Sequence, residues 1–196
     1  MGFKKHIFLI FIFLFTLSNS YSIEPEIFVQ STVNRASEVL SESISKEKKI
    51  SQLKKIAKET VDIKGIGFYT LGQKRKSLTD DQKKKYSLLF ENYFLKSFSS
   101  RLAEYTNPEI DVIGKQILSE KYTIVNSLLK GTDERPEVKI DWRIYTKDKN
   151  NPLIRDLIIE GLSLARTQKE EFASILSSNN NDINILIIKL EEFIKN

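Results

Sequence analysis

Three acidic residues, Asp141, Asp156 and Glu160, lie in or beside predicted strands and are the residues whose type could support acid–base catalysis. A carboxylate paired with a tyrosine could move a proton to or from a substrate in an apolar cleft. Carboxylates at strand ends, however, commonly cap turns or bind lysine and arginine, and no spacing in the sequence marks a catalytic pair. We therefore predict no catalytic residue and keep a small enzyme with a carboxylate–tyrosine pair as an alternative.

The other side chains that usually carry catalysis are nearly missing from the chain. It contains no cysteine, and its one histidine is His6. Thiol nucleophiles, disulfides, Ser-His-Asp catalysis and the common zinc sites all require one of these residue types. Gly65-Ile66-Gly67 lacks the remainder of a dinucleotide-binding fingerprint. The sequence therefore predicts neither a metal site nor a cofactor, and it excludes most hydrolase chemistry.

The N-terminal segment has the pattern of a secretory signal. Lys4 to His6 form a short basic head, Ile7 to Leu17 form an apolar run, and small residues follow. This order is typical of a signal peptide, and the apolar run is much shorter than the ~20 residues that span a bilayer. We predict that residues 1–22 are a signal peptide cleaved after Ser20 or Ser22, with an uncleaved anchor as the alternative.

Residues 23–196 are predicted to form a single domain, because a chain of this length can bury one substantial core. Removing the two lysines of the signal leaves a net charge of +3, which is mildly basic. The run Lys83 to Lys85 could meet phosphate, but it is interpreted as a solvated helix face. Export also argues against nucleic acid, so no nucleic-acid partner is predicted.

A long aromatic helix is the strongest element that the sequence predicts, from Thr79 to Tyr105. Thr79 and Gln82 have the spacing of a capping box, and Asn107-Pro108 ends the helix. Large apolar residues recur every four positions along one face. They are Tyr86, Phe90, Phe94, Phe98 and Leu102.

A sheet is predicted to follow this helix. Apolar and polar residues alternate from Val138 to Tyr145, which indicates a half-buried strand. Ile110 to Leu118, Tyr122 to Leu129 and Leu153 to Glu160 are predicted as the other strands. The connections are short enough for an antiparallel meander of four strands. Trp142 and branched aliphatic residues would line one face of this sheet.

Helices are predicted both before and after the strands in the sequence. The N-terminal half is mostly helical, and Ser163 to Ser177 and Asp182 to Lys195 form two C-terminal helices. Gly161 would allow an abrupt turn from the last strand into the first C-terminal helix, and Ser163 would be the N-cap of that helix. The predicted fold class is therefore α+β: a curved four-stranded antiparallel sheet packed against these helices. Composition alone leaves open whether the sheet and the aromatic helix enclose a solid core or a cavity.

Two blocks of the sequence resemble a known family. The first is "LGQKRKSLTDDQKKKYSLLFENYFLKSFSSRLAEY", with its Leu-Gly, Thr-x-x-Gln, repeated Phe and closing Leu-x-x-Tyr. The second is "VKIDWRIYTKDKNNPLIRDLIIEGLSLARTQKEEFASIL", with Asp156, Glu160-Gly161, Ser163-Leu164 and Phe172 to Leu176 at the family's positions. In this order and spacing, with a signal peptide, the chain resembles the MlaC family of periplasmic phospholipid carriers, which includes toluene-tolerance proteins.

The sequence departs from the family pattern at several positions. Arg75 and Pro152 stand where the family usually has Trp, and Lys169 replaces a frequent Arg. Gly65 and Gly67 are expected to interrupt a helix that family members usually continue. These departures bear on the lining of the pocket and on partner contacts more than on the fold.

The resemblance implies a soluble periplasmic protein that binds phospholipid acyl chains in an apolar cavity and carries the lipid between outer and inner membranes. It implies two partners besides phospholipid: an outer-membrane lipoprotein–porin complex and an inner-membrane ABC transporter with a substrate-binding ring. The candidate cavity-lining residues are Phe68, Phe90, Phe94, Phe98, Leu102, Ile140, Trp142, Ile144, Ile158 and Leu164. The alternatives are the small secreted enzyme and a periplasmic adaptor or chaperone without a ligand.

Overall fold

Six α-helices and a five-stranded antiparallel sheet make up residues 22–133 and 135–196, the part of the chain that the computed structural model describes. The helices are α1 (Pro25–Ser41), α2 (Lys46–Thr60), α3 (Ile63–Thr70), α4 (Asp80–Leu102), α5 (Leu164–Ser177) and α6 (Ile183–Lys195), with a 3₁₀-helix at Gly72–Lys76. The strands are β1 (Ile110–Ser119), β2 (Tyr122–Leu129), β3 (Val138–Tyr145), β4 (Leu153–Ile159) and β5 (Leu162–Ser163). The predicted signal peptide, apart from Ser22, lies outside the described residues.

The sheet confirms the predicted α+β class and the antiparallel meander. Its strand order is β1-β2-β3-β4-β5, so every strand pairs with its neighbour in sequence. The sheet has one strand more than predicted, because Glu160 and Gly161 both have positive φ, 48° and 81°. Two such residues form the tight hairpin turn that suits twisted strands. The chain therefore returns along β4 for two residues, as β5, before α5 begins.

A register shift between β3 and β4 decides which side chains of β4 face the helices. Ile144 pairs with Ile154, whereas Trp142 pairs with Leu157, so β4 carries one extra residue between these pairs. An extra residue of this kind bends the strand and reverses the alternation of its side chains. Leu157 therefore lies on the same face as Trp142. Ile158 pairs with Asp141 on the opposite face.

The long helix α4 begins as predicted and ends slightly earlier. Thr79 Oγ1 accepts the backbone N–H of Gln82 at 3.2 Å, and Gln82 Oε1 accepts that of Thr79 at 3.0 Å, which confirms the capping box. The helix ends at Leu102 rather than Tyr105. The N–H of Tyr105 instead bonds the carbonyl of Leu102, three residues back. The chain thus tightens into turns before Asn107.

The main core lies between the sheet and the helices, with a smaller cluster between α1 and α2. Tyr86 and Phe90 of α4 are almost fully buried, together with Val125 and Ile144 of the sheet. The smaller cluster contains Val39, Leu40, Leu53 and Ile56. Within the described residues, no helix has both the length and the apolar character needed to cross a membrane.

Helix α3 corrects the expectation that two glycines break it. The helix runs from Ile63 to Thr70 through both Gly65 and Gly67. Asp62 caps it, with Oδ1 accepting the N–H of Gly65 at 2.8 Å. A Cβ added at Gly67 would lie 2.7 Å from Cδ1 of Phe90. The glycine thus allows the ring of Phe90 to pack directly on the α3 backbone.

Gly67→Ala is expected to lower the free energy of unfolding by about 1–3 kcal/mol, because the buried Phe90 ring must move away from the new methyl group. Thermal or urea unfolding measures this. Lys64→Ala, on an exposed position of the same helix, is the control and should change stability by less than about 0.5 kcal/mol. Equal stability of the two variants would contradict the close packing of Phe90 on α3.

Candidate functional site

An apolar cleft opens between α4 and α5, with the sheet as its floor. Its volume is about 280 Å³. Four elements supply its apolar lining: α4, α5, the β3–β4 pair, and the segment around α3. These residues are Val61, Ile66, Phe90, Phe94, Phe98, Trp142, Ile154, Leu157, Leu164 and Ala165. Such a lining favours the apolar part of a ligand.

The wall on α4 follows directly from the four-residue spacing of its phenylalanines. Residues four apart lie on one helix face. The rings of Phe90 and Phe94 have centroids 6.3 Å apart, and those of Phe94 and Phe98 are 5.4 Å apart and nearly parallel. Phe94 and Phe98 are only half-buried. Phe90, at one end of this wall, is therefore part of the buried core, whereas Phe94 and Phe98 are accessible from the cleft.

The floor is formed by Trp142 with its polar atom satisfied inside the sheet. The indole Nε1–H donates to Oγ of Ser127 at 2.8 Å, and that hydroxyl donates to the carbonyl of Ile140 at 3.0 Å. A buried indole N–H without a partner would cost free energy. Because Ser127 supplies the partner, the remainder of the ring can form an apolar surface under the cleft.

Helix α5 is held in place by Asp156. The carboxylate of this buried residue accepts the hydroxyl of Ser163 at 2.6 Å and the N–H of Ala165 at 2.9 Å. Ser163 is also the N-cap, with Oγ accepting the N–H of Arg166 at 3.1 Å. A carboxylate at this end of a helix is favoured by the helix dipole. Asp156 therefore connects β4 to the first turn of α5.

The mouth of the cleft is polar. Tyr93 donates its hydroxyl to Oε1 of Gln168 at 2.7 Å, which joins α4 to α5, and Gln168 Nε2 donates to Oε2 of Glu171 at 2.7 Å. Ser97, Arg101 and Thr167 also line this region. Burial raises the pKa of Tyr93, and Glu171 raises it further, while the Gln168 bond and Arg101 act in the opposite direction. The phenol is thus neutral at physiological pH and acts as a hydrogen-bond donor.

A second cavity of about 360 Å³ adjoins the cleft. The two cavities share Ile66, Asp156 and Ala165 as a common wall. Arg155 lines the second cavity but is already engaged, because Nε donates to Asp62 at 2.7 Å and Nη1 to Tyr122 at 3.0 Å. The charge of Arg155 is therefore satisfied within the protein, and what this cavity offers is additional volume next to the cleft.

Five of the ten candidate lining residues meet in the cleft, and five do not. Those in the cleft are Phe90, Phe94, Phe98, Trp142 and Leu164. Ile140 and Ile144 share the face of Trp142 but are buried, and Phe68 packs against the main core. Leu102 contacts the cluster between α1 and α2, and Ile158 points to the other face of the sheet. A lipid-binding role for any of the ten stays a prediction.

Several lining residues were not among the candidates. Ile154 lies on the floor opposite Ile144, and Leu157 joins it there because of the extra residue in β4, which no sequence pattern announces. Tyr93 lies three residues from Phe90 on the same face of α4, so helical spacing could have placed it in the cleft. Val61 and Ile66 come from a distant part of the sequence and join the site only through packing.

The three acidic candidates for catalysis all have structural partners. Asp141 accepts a hydrogen bond from Asn126 Nδ2 at 2.7 Å, and Glu160 accepts the N–H of Lys139 next to the β4–β5 turn. Asp156 lines the cleft, as Tyr93 does, but each is bound to other groups as described above. The described residues also contain no cluster of three or more His, Cys, Asp or Glu side chains that could hold a metal ion.

Comparison with known proteins places this cleft in a family context. The family model described as "MlaC protein" matches residues 30–192. Among solved structures, the chain is similar to a phospholipid-binding protein from Ralstonia solanacearum, determined in complex with a phospholipid. The TM-score is 0.74 at 17% sequence identity, and the match covers 88% of this chain and 98% of that chain. At this identity the likeness establishes a shared fold.

Proposed function

The chain belongs to the MlaC family, and we propose that it is a periplasmic carrier that binds the acyl chains of a phospholipid in the α4–α5 cleft. The observation that supports this most strongly is the cleft itself, with a mostly apolar floor and walls, in which buried Asp156 is engaged by hydrogen bonds to α5, and with several polar groups at its mouth. The protein of similar fold from Ralstonia solanacearum binds a phospholipid. A carrier needs no catalytic group, in agreement with the structural roles of Asp141, Asp156 and Glu160.

The physical task of a carrier is to lower the barrier for moving acyl chains through water. Two C16 chains contain about thirty methylenes, and exposing them at ~0.8 kcal/mol each would cost roughly 24 kcal/mol. Transfer from a bilayer into an equally apolar cleft is close to neutral. The protein therefore accelerates lipid movement without any covalent step.

The cleft must widen to hold a complete lipid. Its volume of about 280 Å³ is just below the ~300–1,000 Å³ of pockets that enclose a drug-sized ligand. Across the cleft, α4 and α5 are joined by the Tyr93–Gln168 hydrogen bond and by contacts of Phe90 and Tyr93 with Phe172. We propose that separation of these two helices admits the acyl chains, with the second cavity as additional space.

The resemblance further supports a pathway between two membranes. In this proposal the carrier exchanges lipid with an outer-membrane lipoprotein–porin complex and with the substrate-binding ring of an inner-membrane ABC transporter. The system would maintain the lipid asymmetry of the outer membrane. Both partners and the shuttling between them are proposals that rest on family membership.

The decisive test is the lipid content of the purified protein. Protein made with its own N-terminal segment in a Gram-negative host is extracted with organic solvent, and the extract is analysed by mass spectrometry. We expect phospholipid in near-stoichiometric amount, and we expect the lipid-free protein to accelerate phospholipid transfer between vesicles. A protein that carries no lipid and transfers none would instead favour the adaptor or chaperone alternative.

Export is tested in the same host. We expect the protein in the periplasmic fraction, with a mature N-terminus near Tyr21 or Ile23, because the basic head, apolar run and small residues are typical of a signal peptide. N-terminal sequencing measures the cleavage site. An intact Met1 on a membrane-bound chain would contradict this prediction and favour the uncleaved anchor.

The enzyme alternative is tested at two of the acidic residues. Asp141→Asn and Glu160→Gln are expected to leave vesicle-to-vesicle transfer within about twofold of the parent, because a carrier moves no proton. Asp156 is unsuitable for this comparison because it holds α5. Loss of transfer by orders of magnitude in either folded variant would support the enzyme.

A further inference from the structure

Two opposite charges lie at the mouth of the cleft without a charged partner. Arg101 at the end of α4 and Glu171 on α5 both line the cleft, and both are exposed. Neither forms an ion pair with any residue among 22–133 and 135–196. Nor do they pair with each other, so the mouth presents one cation and one anion as separate groups.

Tyr93 locates both charges relative to the cleft. Arg101 lies eight residues beyond Tyr93 on the same helix, and both line the cleft together with Glu171. The amide of Gln168 joins the Tyr93 hydroxyl to the Glu171 carboxylate through two hydrogen bonds of 2.7 Å. The carboxylate is therefore held in the same cleft whose apolar lining would receive acyl chains.

We propose that this mouth recognises a zwitterionic phospholipid headgroup, with Arg101 binding the phosphate and Glu171 binding the ammonium group. The inference rests on the proposed function, because only acyl chains in the cleft would bring a headgroup to these residues. Guanidinium binds phosphate well, and a carboxylate is the natural acceptor for an ammonium group. Phosphatidylglycerol has no cation for Glu171, so the negative charge of its phosphate is left uncompensated beside that carboxylate.

The selectivity is expected to be modest. Both side chains are exposed, so water and salt screen their contacts with the headgroup. A preference of about two- to fivefold for the zwitterionic lipid is the size that such contacts support. It should decline as the salt concentration rises, because the acyl chains contribute equally for both lipids.

The test measures which lipid the protein takes from a mixture. Lipid-free protein is incubated with vesicles containing equal amounts of phosphatidylethanolamine and phosphatidylglycerol of identical acyl chains. The protein is separated, and its lipid is quantified by mass spectrometry. The parent is expected to be enriched in phosphatidylethanolamine, less so at 0.5 M than at 0.05 M NaCl.

Two variants should change the ratio of bound phosphatidylethanolamine to bound phosphatidylglycerol in opposite directions. Glu171→Gln removes the ammonium site and is expected to lower the ratio about two- to fivefold with total lipid nearly unchanged. Arg101→Gln removes the cation that the described residues place in the cleft lining, so the ratio rises while total lipid falls. Arg35→Gln and Glu59→Gln are the matched controls. These two residues form an exposed ion pair between α1 and α2, and their replacement should leave the ratio at its parental value.

The outcomes separate this inference from the proposed function. A parent that binds lipid in the ratio of the vesicles at both salt concentrations overturns headgroup recognition but leaves the carrier function intact. Equal ratios in all variants, or shifts in the same direction for Glu171→Gln and Arg101→Gln, also overturn it. A parent that binds no lipid at all overturns both.

Discussion

Leu157→Trp is expected to reduce the phospholipid bound to the purified protein by roughly tenfold or more, because the larger ring occupies the floor of the cleft. Leu157 lines the cleft, is only half-buried, and faces the same side as Trp142. Overfilling an occupied apolar site costs ~1–3 kcal/mol, and 1.4 kcal/mol corresponds to a factor of ten in affinity. Mass spectrometry of extracted lipid and vesicle transfer measure the effect, and both should decrease together.

Ile144→Trp is the matched control for this experiment. Ile144 lies on the same face of the sheet but is fully buried and does not line the cleft. The same enlargement there should lower the free energy of unfolding by about 1–3 kcal/mol. Its lipid content per folded molecule should remain at the parental level. If Leu157→Trp instead melts much lower and still carries the parental lipid load, the floor of the cleft is solid core and the ligand binds elsewhere.

Asp156→Ala is expected to lower the free energy of unfolding by about 2–4 kcal/mol, because hydrogen bonds to a buried carboxylate are strong and their donors lose their partner. The Ser163 hydroxyl and the Ala165 N–H both bind this carboxylate. The first turn of α5 would lose its connection to β4. Urea unfolding followed by circular dichroism measures the change. Asp156→Asn should cost less, because its amide oxygen can still accept one bond.

Asp141→Ala provides the comparison on the neighbouring strand. Asp141 also accepts a side-chain hydrogen bond, from Asn126, and lies 3.5 Å from Lys139 Nζ, but its side chain is 19% exposed. Water can replace these contacts, so the expected loss is about 1 kcal/mol or less. Equal losses for Asp156→Ala and Asp141→Ala would show that Asp156 does not anchor α5.

The elements of the fold were predictable where local signals agree. Thr79 and Gln82 define the start of α4 because their side chains bond the neighbouring backbone. β2 and β3 have the predicted bounds, since their ends coincide with turns. The end of α4 was placed three residues too late, because the final turns depend on how the chain leaves the helix toward Asn107.

The cleft was predictable on its helical side and less so on its sheet side. Phe90, Phe94 and Phe98 share a face through their spacing, and this relation holds wherever the helix packs. On β4, Ile158 was a candidate lining residue, whereas the extra residue between Ile154 and Leu157 turns it to the face opposite Trp142. The difference arises because a bulge is a property of the pairing between two strands, and neither strand encodes it alone.

The sequence by itself therefore determined the class of fold, the aromatic wall, the cap of α5 and the resemblance to the MlaC family. These depend on contacts between residues close in the chain or on ordered motifs. Only the tertiary structure decided that Leu157 rather than Ile158 lies on the floor and that Asp156 anchors α5. It also decided that Arg101 and Glu171 line the same cleft as Tyr93. Arg101 and Glu171 are seventy residues apart in the sequence, and they line one cleft because of how α4 and α5 pack on the sheet, which no local pattern specifies.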